Sequence, residues 1–167
     1  MAGKTQSVVF DQASRPFALY LHWPFCRAKC PYCDFNSHVS NDVDTKIFGD
    51  ALCTEMTYMA SLMPSRPSLS SLFFGGGTPS LMPADLVAAI LADIDALWGL
   101  AAQAEISLEA NPVSAPRPHL QALRAAGVTR LSLGVQAFDD AALKTLGRTH
   151  SAAEAQEAFL AALKVER

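Results

Sequence analysis

Three of the four cysteines, Cys26, Cys30 and Cys33, fall in a single C-x3-C-x2-C run. Cysteine thiolates are the usual ligands of iron–sulfur clusters, and four of them normally complete a cubane. A short loop with these spacings can wrap three sulfurs around separate iron corners. One iron then has no local ligand and offers a coordination site to another molecule. The same run could be part of a zinc site completed by His22, His38 or Cys53. Zinc sites more often pair a C-x2-C with a second, distant pair, and this chain has none.

Other residues have types suited to a ligand pocket. Gly75, Gly76 and Gly77 precede Thr78-Pro79-Ser80, and successive glycines let a backbone pass close to a ligand or make a tight turn. Glu109 is either a hydrogen-bond acceptor for a ligand or a solvated charge at a strand end. The Gln136 amide both donates and accepts. Arg148 offers a planar fork for a carboxylate, or caps its helix. Tyr20 stands six residues before Cys26 and reads as core, and Tyr32 lies between Cys30 and Cys33 and reads as a shield or stacking surface. Cys53, alone on a helix, reads as a small buried hydrophobe. His119 and His150 read as surface residues.

The apolar pattern alternates strand and helix. Strands are expected over residues 17–22, 69–74, 105–110 and 129–135, and the segment 26–40 reads as a loop. Helices are expected over 42–63, 83–97, 116–126 and 139–146, with a longer one from Ser151. On the first of these, Ile47, Leu52, Met56 and Met59 form the apolar face, and Pro64 stops it. Gly127 is the expected C-cap of the third.

This order predicts an α/β fold with a parallel sheet, a partial (β/α) barrel of about four β/α units. Residues 1–16 form an N-terminal lead, and 17–167 an incomplete core that expects further strands. The cysteine loop, the glycines, Glu109 and Gln136 all follow strand ends. Parallel β/α barrels collect their active sites on that face.

Half of the residues are hydrophobic and the net charge is −3, so a folded core is expected and no basic footprint for nucleic acid stands out. The first residues carry no secretory pattern, and no apolar run reaches the roughly 18 residues a bilayer span needs. A cytoplasmic location is expected, with membrane contact only through partners.

The segments Tyr20-Leu-His-Trp-Pro-Phe-Cys26 and Cys30-Pro-Tyr-Cys33-Asp-Phe-Asn-Ser-His38 resemble the radical S-adenosylmethionine (SAM) superfamily. The likeness is nearest to the branch holding oxygen-independent coproporphyrinogen III oxidase and the heme chaperone HemW. It implies a [4Fe–4S] cluster on Cys26, Cys30 and Cys33, whose open iron is chelated by SAM and whose electron cleaves SAM to methionine and a 5′-deoxyadenosyl radical. It also implies cofactor contacts from Tyr20, Tyr32, Gly76, Gly77, Thr78, Glu109, Gln136 and Arg148. Implied partners are heme or a porphyrinogen, an acceptor haemoprotein, and an electron donor such as flavodoxin or ferredoxin.

Within that branch two activities are open. One is heme uptake and transfer; the other is SAM-dependent oxidative decarboxylation of a porphyrinogen. The first cysteine comes early, Phe35 stands where the oxidase motif commonly has another cysteine, and CPYCDFNSH reads like the chaperone branch. These favour a heme chaperone. The chaperone's His-Asn-x-x-Tyr segment does not occur in the chain, so heme binding is expected of the intact protein.

Overall fold

The computed structural model describes residues 16–63, 68–114 and 116–165. Of the lead expected over residues 1–16, all but Pro16 lies outside these, and so does Pro64. In chain order the elements are β1 (Phe17–Trp23), β2 (Phe25–Cys26), β3 (His38–Val39), α1 (Thr45–Leu62), β4 (Leu69–Gly76), α2 (Ala84–Trp98), β5 (Leu100–Ala110), α3 (Arg117–Ala126), β6 (Arg130–Leu133), α4 (Asp140–Thr145) and α5 (Ala152–Leu163).

The four longer strands make one parallel sheet in the order β1-β4-β5-β6. Helices α1, α2 and α3 each return the chain to the start of the next strand, as parallel pairing requires. They pack in sequence, α1 on α2, α2 on α3 and α3 on α5, which covers one face of the sheet.

Side chains alternate across a strand, so each strand contributes one row to either face. Leu21 and Trp23, Leu72 and Phe74, and Ile106 and Leu108 are buried in the core. Burying a side chain such as Phe74 contributes roughly 1.5–3 kcal/mol. Tyr20 and His22, Phe73, Ser107, Glu109 and Ser132 occupy the alternate positions. This second row is mostly polar, and it leads up to the strand ends where the site lies.

The elements depart from expectation in instructive places. Ile47 and Met59, expected on the apolar face of α1, are exposed. The packed row is Phe48, Leu52, Met56 and Ala60, each four residues after the last. A residue one position away from such a row is rotated by about 100° on the helix surface, which carries Ile47 and Met59 outward. The helix starts at Thr45 instead of residue 42, because the Asp44 side chain accepts the Ile47 N–H at 2.9 Å and caps it there. Gly127 is the left-handed C-cap of α3, as expected.

Strand β5 begins at Leu100, five residues early, through an alanine-rich stretch with little strand signal of its own. The segment 26–40 is more than a loop, since β2 and β3 pair in parallel across it. Cys53 is half-buried instead of core. It faces Asp93 on α2, whose hydrogen bond, followed by partial burial, pushes the thiol above its ordinary range.

Candidate functional site

The cysteine loop is closed at its base by backbone pairing. His38 N–H donates to Pro24 O at 2.7 Å and Ser40 N–H to Cys26 O at 3.0 Å. Inside it, Cys33 N–H donates to Cys30 O at 3.0 Å, so Cys30-Pro31-Tyr32-Cys33 is a β-turn with proline in its favoured second position. The His22 Nε2–H donates to Asn36 O at 2.8 Å, leaving Nδ1 to accept from the Tyr20 hydroxyl at 3.2 Å. Lys29 Nζ donates to Ser37 O at 3.2 Å and braces the far side.

The three thiols line one cleft of about 220 Å³. Cys26 is buried, and Cys30 and Cys33 are half-buried. The Thr78 hydroxyl donates to Cys26 Sγ at 3.4 Å, Arg148 Nη1 donates to Cys30 Sγ at 3.3 Å, and Ser37 Oγ lies 3.7 Å from Cys33 Sγ. Each sulfur therefore has a polar neighbour suited to a thiolate.

This donor set fits a cubane better than zinc. Both ring nitrogens of His22 are already engaged, and Cys53 lies in the groove between α1 and α2, away from the loop. Among the described residues no three His, Cys, Asp or Glu side chains gather closely enough for a single ion. Three thiols lining one cleft, each beside a polar group, are the ligand type an iron–sulfur cluster takes.

Tyr32, Gly76, Gly77 and Thr78 line the same cleft, and so do Glu109, Gln136 and Arg148. Tyr20 does not. It lies more than half exposed one strand away, stacked on Phe73 with ring centroids 6.1 Å apart. Burial first, then the negative charge of Glu109, pushes its phenol above the ordinary range. Tyr32 is exposed, with its hydroxyl 3.5 Å from Arg148 Nη1.

The backbone N–H groups of the glycine segment are engaged within the protein. Gly76 N–H donates to Glu109 Oε2 at 3.1 Å, Gly77 N–H to Trp23 O at 2.7 Å, and Thr78 N–H to Phe25 O at 2.9 Å. These donors fasten the glycines to the cysteine loop and to β5, so they are not available to a ligand. The glycines are needed for closeness: Gly76 has φ 116°, and a Cβ on Gly77 would stand 2.7 Å from Phe25 O.

Several contributors carried no clear signal in the sequence. Asn111 and Ser132 line the cleft, and Ser80 and Ser114 form a buried hydroxyl pair beneath it. The Asn111 N–H donates to Ser80 Oγ at 3.3 Å, tying the turn after the glycines to the turn after Glu109. His119 is half-buried, with Nε2–H donating to Ser80 O at 2.9 Å. His150, expected on the surface, is 4% exposed, with Nε2 3.0 Å from Val135 O. Serine pairs and lone histidines are common enough that only the fold distinguishes these.

The sequence matches the Radical SAM superfamily over residues 20–166. The chain belongs to the radical SAM superfamily. Membership implies a [4Fe–4S] cluster and SAM as cofactors.

Among curated relatives of this radical SAM chain is the mouse "Radical S-adenosyl methionine domain-containing protein 1, mitochondrial", 47% identical over 87% of the chain and 33% of the relative. The heme chaperone HemW of Escherichia coli is 40% identical over 86% of the chain and 38% of the relative. The chain thus spans about a third of the length of these curated relatives. Among solved structures, coproporphyrinogen III oxidase (HemN) from E. coli superposes with a TM-score of 0.81 at 31% identity, over 90% of this chain and 35% of that one. That likeness bears out the α/β fold with parallel strands and the partial barrel. No helix among the described residues is long and apolar enough to cross a membrane.

Proposed function

We propose that this radical SAM chain is the cluster-bearing core of a heme chaperone, a protein that takes up heme and passes it to an acceptor haemoprotein. In this reading Cys26, Cys30 and Cys33 hold the [4Fe–4S] cluster and SAM occupies the rest of the cleft. When bound, the cluster and SAM together supply one-electron chemistry. Tyr32 and Gln136 reach the cleft from exposed positions and bracket the cofactor's outer side. Glu109, which keeps only one oxygen engaged with Gly76, offers the other to an ammonium or a ribose hydroxyl. Arg148 holds the ligand loop from below. Tyr20 acts from the neighbouring strand, its hydroxyl held by His22 Nδ1 and its phenol within the field of the Glu109 charge.

The observation that carries the chaperone reading is Phe35. It lines the cleft, more than half exposed, two residues after Cys33, where the oxidase motif commonly has another cysteine. An apolar ring there offers a flat surface and no thiol chemistry. The 40% identity to a heme chaperone over 86% of the chain supports a heme-related role. Residues 17–167 act as the core and residues 1–16 as a lead, with heme determinants shared with further sequence in the intact protein. An electron donor such as flavodoxin or ferredoxin would reduce the cluster. The free cysteines suit a reducing compartment, the cytoplasm.

The test is to measure heme transfer to an apo-haemoprotein beside coproporphyrinogen III turnover in one preparation of the intact protein, with SAM and reductant. Transfer without decarboxylation is the expected result. Steady formation of protoporphyrinogen IX with matching methionine release would assign the chain to the oxidase instead.

A further inference from the structure

Gln136 is the one non-glycine residue with positive φ among the described residues, at 69°. Its neighbours show why. The Ala137 N–H donates to Val135 O at 2.9 Å, a contact across two residues that makes Gln136 the centre of a γ-turn. With φ positive this is the strained form of that turn, which persists only where surrounding structure enforces it. The turn projects an exposed Gln136 side chain into the cleft.

The Val135 carbonyl that closes the turn has a second partner. His150, from the segment between α4 and α5, approaches it with Nε2 at 3.0 Å. A carbonyl only accepts, so Nε2 carries the hydrogen. The other ring nitrogen, Nδ1, is buried and has no hydrogen-bond partner among the described residues. A histidine 4% exposed with a single hydrogen bond directs that bond to the one carbonyl that defines the turn.

The same segment secures both sides of the turn. Arg148 Nη2 donates to Gly134 O at 2.8 Å, one residue before the carbonyl that His150 holds. Gly147 packs on Pro31, where an added Cβ would stand 2.6 Å from the ring. Residues 147–150 therefore register the turn against the cysteine loop.

We infer that His150 is a positioning residue whose Nε2–H holds the Val135 carbonyl and so keeps the strained turn that presents the Gln136 amide to SAM. This rests on the reading that Gln136 contacts SAM. Without the bond, Gln136 relaxes to negative φ and its side chain swings away from the cleft. The cysteine ligands are untouched.

The experiment measures SAM affinity on the reconstituted protein by titrating the SAM-induced change in the reduced cluster's EPR spectrum, with iron content as the folding control. Glutamine places its amide nitrogen near the position of Nε2, whereas asparagine is too short to reach Val135 O. His150→Gln should bind SAM close to wild type, and His150→Asn about tenfold more weakly, the size of one lost buried hydrogen bond. Both should keep full iron content. In a Gln136→Ala background the His150→Asn change should add nothing, because there is no amide left to position. Wild-type affinity in His150→Asn while Gln136→Ala is impaired would overturn the role of His150 alone. Full additivity of the two changes would overturn it as well, marking His150 as generally structural. Wild-type affinity in Gln136→Ala would instead overturn the reading of Gln136, and the positioning role with it. Should His150→Asn lose iron, His150→Gln becomes the deciding variant. Its failure to keep SAM affinity at full iron content would refute the inference.

Discussion

The Arg148 guanidinium donates to the Cys30 sulfur at 3.3 Å across 118 residues of sequence. The same side chain reaches Gly134 O at 2.8 Å, and its buried Nε has no partner among the described residues. Hydrogen bonds to ligand sulfurs are among the features that set a cluster's reduction potential, and a positive charge there favours the more negative, reduced cluster. Arg148→Gln should therefore lower the midpoint potential. The expected shift is tens of millivolts, on the order of the 59 mV that a tenfold change in a one-electron equilibrium represents. An EPR-monitored redox titration reads it directly. An unchanged potential would mean that the contact with Cys30 has no electronic consequence.

The ligand set makes a simpler prediction. Anaerobic reconstitution should load about four irons and four sulfides per chain, with absorbance that bleaches on reduction. Alanine at Cys26, Cys30 or Cys33 should abolish the cluster. Cys53→Ala should leave it intact, because that thiol faces Asp93 between two helices. A full cluster in the Cys30 variant, or stoichiometric zinc in the wild type, would refute the assignment.

What the sequence made legible was the rim. Four motifs each follow a strand signal, and parallel pairing brings strand ends together whatever the loops do, so the common cleft can be foreseen from spacing alone. Contacts that depend on which distant segments meet are not legible. That the N–H groups of Gly76, Gly77 and Thr78 are consumed by Glu109, Trp23 and Phe25 follows from register between strands, which no local pattern encodes. His150 reads as surface because it sits in a short polar connection between two helices, and only the fold lays that segment over Val135. The apolar face of α1 differs from expectation for a similar reason. Ile47 and Met59 satisfy a helical period, but the row that meets the sheet is one residue along.

Gly77 tests the joint between the two loops. A Cβ there would meet Phe25 O at 2.7 Å and Pro24 C at 2.9 Å, both backbone atoms of the segment that leads into Cys26. Neither can turn aside as a flexible side chain could. Gly77→Val must therefore push the glycine segment away from the cysteine loop, breaking the Thr78 contact with Cys26 Sγ as well as reshaping the cleft. We expect SAM binding to weaken and cluster content to fall together. Weakened SAM binding at full iron content would show that the glycine acts on the cofactor pocket alone.

The last prediction concerns pH and the helix that follows the His150 segment. Ser151 caps α5 in a reciprocal box: its Oγ accepts the Glu154 N–H at 3.2 Å, and Glu154 Oε2 accepts the Ser151 N–H at 2.7 Å. The backbone bond from Ser151, then its hydroxyl, holds the Glu154 carboxyl below the ordinary glutamate range. A carboxylate depressed in the folded state stabilises above its unfolded value, and that contribution fades as pH falls through the lowered folded value. Glu154→Gln should thus be less stable than wild type near neutral pH, with the difference closing only on acidification past the ordinary value of 4.5. Ser151→Ala removes the cap itself and should cost about 1 kcal/mol near neutral pH, part of which fades in acid because the lost hydroxyl also holds the Glu154 carboxylate. Thermal melts of the three proteins between neutral and acid pH check both claims. A gap between wild type and Glu154→Gln that persists unchanged into acid would show that the ionised carboxylate is not what the cap uses. Because α5 packs on the turn at residues 112–114 beyond Glu109, a loosened cap should also soften that side of the cleft. SAM affinity in Ser151→Ala should then fall modestly while iron content holds.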